Sequence, residues 1–229
     1  MTQISVIVPV YNTPRELLEH CISSIKDNIR NLGGAEILCI NDGSTEPYIE
    51  QVLKDAEAAD SRFKYVYKQN SGVSNTRNLG VDMAQGKYIT FVDADDYLEP
   101  DALQYMVSTI ENVKTDVAGF GFCENDEKDN RIPFRRFYTW KDKDLIIRNI
   151  ISNEDNRLNG LFMCMVWAKI YKREFLIHNK MCFMQDIAPN EDLFYNISIL
   201  QKTERYYVDN KIVYHYIYYS EFVLKFLRP

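Results

Sequence analysis

The sequence has few residues of the kinds that hold zinc or form disulfide frameworks. Its 229 residues include five cysteines and three histidines, and no two cysteines are separated by only two residues. Structural zinc sites usually need such closely spaced pairs. Because the cysteines are odd in number and stand mostly among apolar residues, we interpret them as buried thiols in a reducing compartment rather than as disulfide partners.

The chain also lacks an excess of positive charge and a long apolar segment. Its formal net charge is -6 at pH 7, which argues against a nucleic-acid partner, because such proteins present a basic surface to the phosphates. No uninterrupted apolar run reaches the ~18 residues that a membrane-spanning helix needs, and no basic segment precedes the first apolar one. We therefore expect a cytoplasmic enzyme rather than a secreted or integral membrane protein.

The apolar share of the chain, 46%, is large enough for one extensive core. In the first half, short β-branched segments alternate with longer amphipathic ones, as is typical of a mostly parallel sheet flanked by helices. The second half is less regular and richer in aromatic residues. No repeat or low-complexity linker divides the chain, so we predict one α/β domain, 1–229. The predicted strands are 4–10, 37–41, 63–67, 88–92 and 117–122, and the predicted helices begin near 14, 48, 74 and 100.

The first predicted helix has a strong start signal. Thr13 and Glu16 have the spacing of a capping box, with Pro14 at the first helical position. Apolar residues then follow at helical spacing, so one stripe of this helix is expected to pack on the sheet.

Three polar residues stand directly after predicted strands. These are Asn12, Asp42 and Asp93. Ligands of open α/β sheets bind outside the carboxyl ends of the strands, where loops and helix N-termini converge. The sequence therefore predicts that these side chains gather on one rim of the sheet.

Asp93 is also the first residue of an acidic cluster, since Asp95 and Asp96 follow it within three positions. Like charges beside a buried strand repel one another unless a cation or hydrogen-bond donors offset them. Mg2+ or Mn2+ would suit the cluster, since these ions take one or two carboxylates together with phosphate oxygens. The alternative is a solvated acidic turn ahead of the helix near Pro100, and the spacing alone leaves both open.

Two further segments of the first half favour a ligand site less strongly. Asp42 lies in a turn where it could cap the next helix, or could accept hydrogen bonds from a base imide or a ribose hydroxyl. Gly72 precedes a helix that carries Arg77 in its first turns. The amides of that helix and the guanidinium suit phosphate or sugar oxygens, whereas the alternative for Arg77 is a surface salt bridge.

Glu191 and Asp192 precede a helical set of apolar residues. Acidic residues are common at helix N-termini because the macrodipole favours them, and this is one interpretation of the pair. In the other, Asp192 is a general base that takes the proton from an incoming hydroxyl during displacement at an anomeric carbon.

Five segments, in their order and spacing, resemble the signatures of family 2 glycosyltransferases with the GT-A fold. The resemblance implies a Rossmann-like sheet of GT-A type. It also implies a nucleotide-sugar-binding half over about 1–122 and an acceptor-side half over about 123–229. The five segments are Val6 to Asn12, Asn41 to Thr45, Asn70 to Gly80, Gly86 to Asp96 and Asn190 to Asp192.

The same resemblance implies an inverting, metal-dependent transfer of a sugar from a nucleotide diphosphate, usually UDP, to a hydroxyl acceptor. Asp93 and Asp95 would engage the ribose and a Mg2+ or Mn2+ on the donor diphosphate. Asp42 would meet the nucleobase, and Asp192 would be the base. The acceptor would be a saccharide or a lipid-linked saccharide of cell-surface polysaccharide synthesis. The donor pocket would further include Pro9, Tyr11, Asn12, Gly72, Arg77 and Ala94.

Two aromatic residues of the second half leave alternatives open. Trp167 could stack on a sugar face or belong to the core. The segment from Tyr214 to Tyr219 stands where many relatives have an aromatic-aromatic-arginine run, but it contains no arginine. His215 within it is either an extra metal or phosphate ligand or a packed strand histidine.

The last residues carry the apolar set Phe222, Val223, Leu224, Phe226 and Leu227. Such a set could dock on a second copy of the chain or on the inner face of a membrane, or the sequence could be truncated there.

Two other functions compete with catalysis of sugar transfer. One is a noncatalytic relative that binds a nucleotide sugar or a partner, against which the joint presence of metal ligands and base argues. The other is a sugar nucleotidyltransferase, which usually has a glycine-rich basic loop where this chain has Tyr11 to Arg15.

Overall fold

The computed structural model describes residues 2–124, 165–185, 187 and 190–217, and the backbone of 136–139. Within these ranges, nine strands form one mixed sheet and six helices accompany it. The strands are β1 (Ile4–Val10), β2 (Ala35–Asp42), β3 (Phe63–Lys68), β4 (Tyr88–Phe91), β5 (Tyr97–Leu98), β6 (Val117–Glu124), β7 (Arg136–Thr139), β8 (Lys169–Lys172) and β9 (Arg205–Tyr216). The helices are α1 (Arg15–Ile29), α2 (Pro47–Ala59), α3 (Val73–Met83), α4 (Ala102–Val113), α5 (Arg173–His178) and α6 (Glu191–Lys202).

The sheet has a parallel part and a mixed part. Its strands lie in the order β3, β2, β1, β4, β8, β6, β9 and β5, and β7 pairs with β9. The pairs among β1 to β4 are parallel, as is β6 with β9, whereas β8 runs antiparallel to both of its neighbours. The predicted α/β fold is confirmed, and the strand that reverses direction comes from the second half of the chain.

The inner strands of the parallel part, β1, β2 and β4, are buried because they are nearly continuous apolar runs. Every residue of β2 is buried, and so is every residue of β1 except Pro9. Such runs are expected of parallel strands that helices cover. Helix α1 adds the apolar stripe predicted from its spacing, with Leu18, Cys21, Ile22, Ile25 and Ile29 buried.

The predicted capping box of α1 is wrong. The helix begins at Arg15, and Pro14 occupies the cap position with extended backbone and no side-chain hydrogen bond to the helix. Because the helix starts one residue later than predicted, Thr13 stands too far from the first free amides. Its carbonyl oxygen instead accepts a hydrogen bond of 2.9 Å from the Tyr48 hydroxyl.

The carboxyl ends of β1, β2 and β4 lie side by side at one edge of the sheet. This follows from their parallel pairing, with β1 between the other two. The rim predicted for Asn12, Asp42 and Asp93 is therefore present. Among the helices in the described ranges, none is both long and apolar enough to cross a lipid bilayer. The apolar set at 222–227 lies outside the described residues, and its dimer or membrane contact stays a prediction.

A buried carboxylate holds the opposite end of the parallel strands together. Glu36 of β2 is 6% exposed and accepts hydrogen bonds from the Ser5 hydroxyl at 2.6 Å and the Gly86 amide at 3.2 Å. Gly86 lies so close to β1 that a Cβ there would be 2.5 Å from the Ser5 nitrogen. Glycine is required at this position because the nearest atoms are backbone and cannot move aside.

We expect Gly86→Ala to lower the free energy of unfolding by about 1–3 kcal/mol, the usual effect of overpacking a rigid site. Gly33→Ala is the matched control, because a Cβ at Gly33 would meet nothing within 4 Å. Urea unfolding of both variants measures the difference. Equal stability of the two variants would contradict the close approach at Gly86.

Candidate active site

Asp42 organises the turn that leads into α3. Its side chain is buried and accepts hydrogen bonds from the backbone amides of Ser71 and Gly72, each at 2.9 Å, and from the Lys68 ammonium. Gly72 has a φ of 89°, a conformation that favours glycine. The alternative in which Asp42 caps the next helix is wrong, because α2 begins only at Pro47, with Glu46 before it.

A cavity of about 260 Å³ opens beside Asp42. It brings together four of the predicted donor-pocket residues, Pro9, Tyr11, Asp42 and Gly72. Tyr11 is 53% exposed and forms an accessible wall of this cavity. The cavity thus combines an aromatic ring, apolar side chains and a buried carboxylate at the rim of the sheet. The remaining lining residues are Val10, Asn70, Val73 and Thr76.

Asn12 supports this rim and is not among the residues that line the cavity. Its side-chain oxygen accepts a hydrogen bond from the backbone amide of Thr45 at 2.8 Å. Its backbone amide donates one to the Ser44 hydroxyl at 3.1 Å. Its φ of 48° lies in the left-handed region that asparagine tolerates. Asn12 therefore ties the end of β1 to the loop after β2.

Arg77 lies between the two halves of the candidate site. It is 4% exposed, and its guanidinium hydrogen-bonds Asp93 at 2.9 Å and Asp192 at 2.6 Å. A third carboxylate, that of Glu191, is 3.6 Å away, and the Phe183 ring lies 5.5 Å from the guanidinium carbon. The predicted alternative of a surface salt bridge is wrong, because Phe183, Glu191 and Asp192 approach this arginine and it is buried.

Burial lowers the pKa of Arg77, but the charges of Asp93 and Asp192 outweigh this effect and raise it above its ordinary value. The guanidinium is therefore charged in the folded protein. Two of its nitrogens are committed to carboxylates of the protein, so the structure places Arg77 as a bridge rather than in the cavity lining.

Asp192 is held in a fixed orientation at the start of α6. One oxygen accepts from Arg77, and the other accepts from the Val166 amide at 3.1 Å. Burial raises the pKa of Asp192 to about 6, Asp93 and Glu191 add to the rise, and Arg77 opposes it. A carboxylate with this pKa is ionised at neutral pH and still basic enough to take up a proton.

The three acids after β4 have different surroundings. Burial, followed by the charge of Asp93, raises the pKa of Asp95 to about 6. Burial, and then the charges of Asp93 and Asp95, raise the pKa of Asp96 above its ordinary value. Ala94, which lies between Asp93 and Asp95, is 3% exposed. None of the three acids is an exposed residue, which argues against the solvated acidic turn.

Asp93 and Asp95 form a donor set that suits a divalent cation shared with a ligand. Within the described ranges, no group of three histidine, cysteine, aspartate or glutamate side chains could hold a metal alone. Mg2+ and Mn2+ need only one or two carboxylates when phosphate oxygens complete the shell. Burial is the main cause of the raised pKa of Asp95, and the charge of Asp93 adds to it; a bound cation would offset that like-charge repulsion.

Trp167 and His215 have packed positions. Trp167 is 5% exposed and stacks on Tyr214 with ring centroids 4.5 Å apart, which favours the core alternative. His215 stacks on Tyr97 at 4.3 Å, and its Nε2 hydrogen-bonds the Glu99 carboxylate. These contacts favour the packed strand histidine over a metal or phosphate ligand.

Reasoning from the sequence missed Lys68, although a signal for it exists. Lys68 is the last residue of β3 and lies opposite Asp42 in the parallel register. The predicted strands 37–41 and 63–67 end one residue before this pair, so extending both would have placed a lysine beside the carboxylate. The Phe183 contact with Arg77 has no comparable local signal.

The geometry agrees with the family that the sequence resembles. The model of glycosyl transferase family 2 matches residues 5–179. This chain belongs to glycosyl transferase family 2. The match spans β1 to α5 and includes Asp42, Arg77 and the acids after β4, whereas Asp192 lies beyond its end.

Curated relatives are longer than this glycosyltransferase family member. It is 29% identical over 208 residues to "Uncharacterized glycosyltransferase EpsJ" of Bacillus subtilis (strain 168), a match that covers 88% of this chain and 57% of EpsJ. It is 30% identical over 220 residues to "Glycosyltransferase GlyA" of Streptococcus pneumoniae serotype 4, covering 93% of this chain and 30% of GlyA. The chain thus spans less than two thirds of these relatives.

Solved structures of S. aureus TarS have the same fold. TarS 1-349 in complex with UDP matches with a TM-score of 0.75 at 20% identity, over 95% of this chain and 61% of that one. The complex with UDP-GlcNAc matches with a TM-score of 0.76 at 20% identity, over 96% and 59% of the two chains. The predicted GT-A-type fold is confirmed.

The raised pKa of Asp192 predicts how the stability of the ligand-free protein depends on pH. The folded pKa of about 6 exceeds the unfolded one, so the contribution of Asp192 to stability is full below the unfolded pKa and is lost as pH rises through 6. Relative to Asp192→Asn, the wild type should lose about 1 kcal/mol of unfolding free energy between about pH 5 and about pH 7. Urea unfolding of both proteins at several pH values measures this change. A wild type that gains stability relative to Asp192→Asn as the pH rises would contradict the prediction.

Proposed function

We propose that this protein is an inverting glycosyltransferase that moves a sugar from a UDP-sugar to a hydroxyl acceptor with the help of Mg2+ or Mn2+. The observation that carries the proposal is the bridge made by Arg77, which hydrogen-bonds both Asp93 and Asp192. The bridge brings an acidic turn suited to a donor diphosphate next to a carboxylate suited to a base.

The donor nucleotide would occupy the cavity beside Asp42. Its Tyr11 wall offers a surface on which a base can stack, and the buried carboxylate offers an acceptor for donors on a base or ribose. The complexes of TarS with UDP and UDP-GlcNAc support a uridine donor for a chain of this fold. Asp42 would act mainly by fixing the turn at Ser71 and Gly72, because its oxygens already accept their amides.

Asp93 and Asp95 would hold the divalent cation. When bound, the cation would neutralise the charge that develops on the leaving diphosphate. Arg77 keeps Asp93 in place from the other side, since its guanidinium donates to that carboxylate at 2.9 Å. The protein's own contribution here is orientation of the acids before the donor arrives.

Asp192 would take the proton from the acceptor hydroxyl as that oxygen attacks the anomeric carbon. A single displacement from the face opposite the leaving diphosphate inverts the configuration. Arg77 and the Val166 amide orient the carboxylate, and its pKa of about 6 lets it remain ionised at neutral pH. One positioned base of this kind is what such a displacement requires.

The acceptor side of the proposed site includes the start of α6, which carries Glu191 and Asp192. We propose a saccharide or a lipid-linked saccharide of cell-surface polysaccharide synthesis, with the protein working in the cytoplasm or on the inner face of the membrane. Phe194 follows Asp192 on α6 and is 43% exposed, so an apolar side chain is accessible near the base. Glu191 stands on the same helix end and is a further candidate for contact with the acceptor.

Calorimetric titration with UDP tests the donor site. We expect the wild type to bind UDP more tightly with Mn2+ than without it, and Asp95→Ala to lose this dependence, weakening binding at least about tenfold. Asp55→Ala, which removes an exposed carboxylate from α2, is the matched control and should bind as the wild type does. A wild type that binds no UDP with either Mn2+ or Mg2+ would overturn the uridine donor. Failure with other nucleotide diphosphates would favour the noncatalytic alternative.

Release of UDP from a panel of UDP-sugars in the presence of saccharide acceptors tests the base. We expect Asp192→Asn to lower kcat by about 10²–10⁴-fold, because the hydroxyl loses its proton acceptor, while Mn2+-dependent UDP binding is retained. Glu191→Gln is the comparison, since Glu191 lies 3.6 Å from Arg77 on the same helix turn, and it should lose less than about tenfold. An Asp192→Asn variant with wild-type kcat would rule out this residue as the base.

A further inference from the structure

We propose that Tyr214 and Asp96 are positioning residues that fix the backbone of the Asp93–Asp95 turn for cation and donor binding. The proposal rests on the proposed function of that turn. It assigns roles to two residues that the sequence motifs leave without one. Asp96 stands beside the acidic pair, and Tyr214 is 118 residues away from Asp96.

The backbone of Asp93 is held on both of its sides. Its amide donates a hydrogen bond of 3.1 Å to the Tyr214 hydroxyl. Its carbonyl oxygen accepts from the Asp96 amide at 3.1 Å and lies 3.6 Å from the Cys21 sulfur. Since Arg77 holds the carboxylate of the same residue, Asp93 is fixed through its main chain and its side chain by different elements.

Asp96 faces β9 rather than the ligand side of the turn. It is 2% exposed, one oxygen accepts from the Tyr214 hydroxyl at 2.7 Å, and the other accepts from the Ile217 amide at 2.8 Å. A carboxylate with both oxygens engaged in this way is a poor candidate for a third cation ligand. Asp96 instead links the acidic turn to the end of β9 through these two hydrogen bonds.

The side chain of Tyr214 is held in place by its surroundings. It is 0% exposed, and its ring lies parallel to that of Trp167, with centroids 4.5 Å apart. In the sheet it pairs with Leu98 of β5, the strand that follows the acidic turn. The hydroxyl thus cannot shift without disturbing the core, and it donates to Asp96 while accepting from Asp93.

This arrangement matters because cation sites tolerate little displacement of their ligands. Mg2+ demands near-ideal geometry, and a site that is loose by about 1 Å loses much of its function. The Tyr214 hydroxyl is one link between the sheet core and the main chain of the acidic turn. Removing it should weaken cation-dependent donor binding more than binding of the nucleotide alone.

The test compares Tyr214→Phe with Tyr105→Phe. Tyr105 is the matched control, because its hydroxyl also donates to an aspartate of the β9 strand, Asp209, at 3.0 Å, but does not contact the acidic turn. Calorimetry with UDP, with and without Mn2+, and hydrogen exchange of the Asp93 amide by NMR on isotopically labelled protein are the readouts.

We expect Tyr214→Phe to bind UDP about five- to tenfold more weakly in the presence of Mn2+, because the Asp93 amide loses its acceptor and Asp96 loses a donor. Its binding of UDP without Mn2+ should stay unchanged, and its Asp93 amide should exchange about tenfold faster. Tyr105→Phe should change none of these values. Asp96→Asn should act in the direction of Tyr214→Phe, and it replaces that variant if Tyr214→Phe does not fold.

Equal effects of Tyr214→Phe and Tyr105→Phe would overturn the positioning role, and so would an equal loss of UDP binding with and without Mn2+. A wild type that binds no UDP would instead overturn the donor site. Hydrogen exchange of the Asp93 amide can be measured without a ligand. Even if the wild type binds no UDP, an Asp93 amide that stays protected from exchange in Tyr214→Phe would overturn the positioning role.

Discussion

The ion pairs of Arg77 are the interaction on which the rest of the candidate site depends. Three carboxylates approach one buried guanidinium, from the end of β4 and from the start of α6. A buried charge is costly unless it is paired, so Arg77 and Asp192 stabilise each other in their ionised forms, and Asp93 is a second partner of the guanidinium. Helix α3 begins directly after the turn that Asp42 holds beside the cavity. Arg77 on the same helix contacts the acidic turn and α6, so α3 connects all three parts of the site.

The acids of the site show how one residue type acquires several chemistries. Asp42 organises the turn beside the cavity, and Asp96 links the acidic turn to β9. Asp95 and Asp192 keep carboxylates whose pKa values lie near 6, mainly because burial disfavours their charge. The environment therefore sorts neighbouring residues of the same type into structural and reactive groups, which is how one fold carries out acid and base chemistry at neutral pH.

The parts of the site that local rules govern could be predicted from the sequence. Apolar runs locate β1, β2 and β4, and the parallel pairing of such strands places Asn12, Asp42 and Asp93 on one rim. The partners of Arg77 could not be predicted, because Asp192 is 115 residues away and no periodic pattern links the two. The same holds for Trp167 and His215, whose buried stacks depend on β9. The start of α1 was misplaced by one residue because Pro14 fits both the cap position and the first helical position.

The place of β8 and β9 in the sheet has a consequence for the order in which the molecule can form. The parallel strands leave the ribosome first, but β4 has its second neighbour only when β8 has been made, and an unpaired edge invites association with other chains. The acidic turn is completed later still, when Tyr214 and Ile217 arrive. The acidic turn thus gains its full set of contacts only near the end of synthesis of the described residues, and a nascent chain that stops before β9 would contain the acids without the frame that orients them.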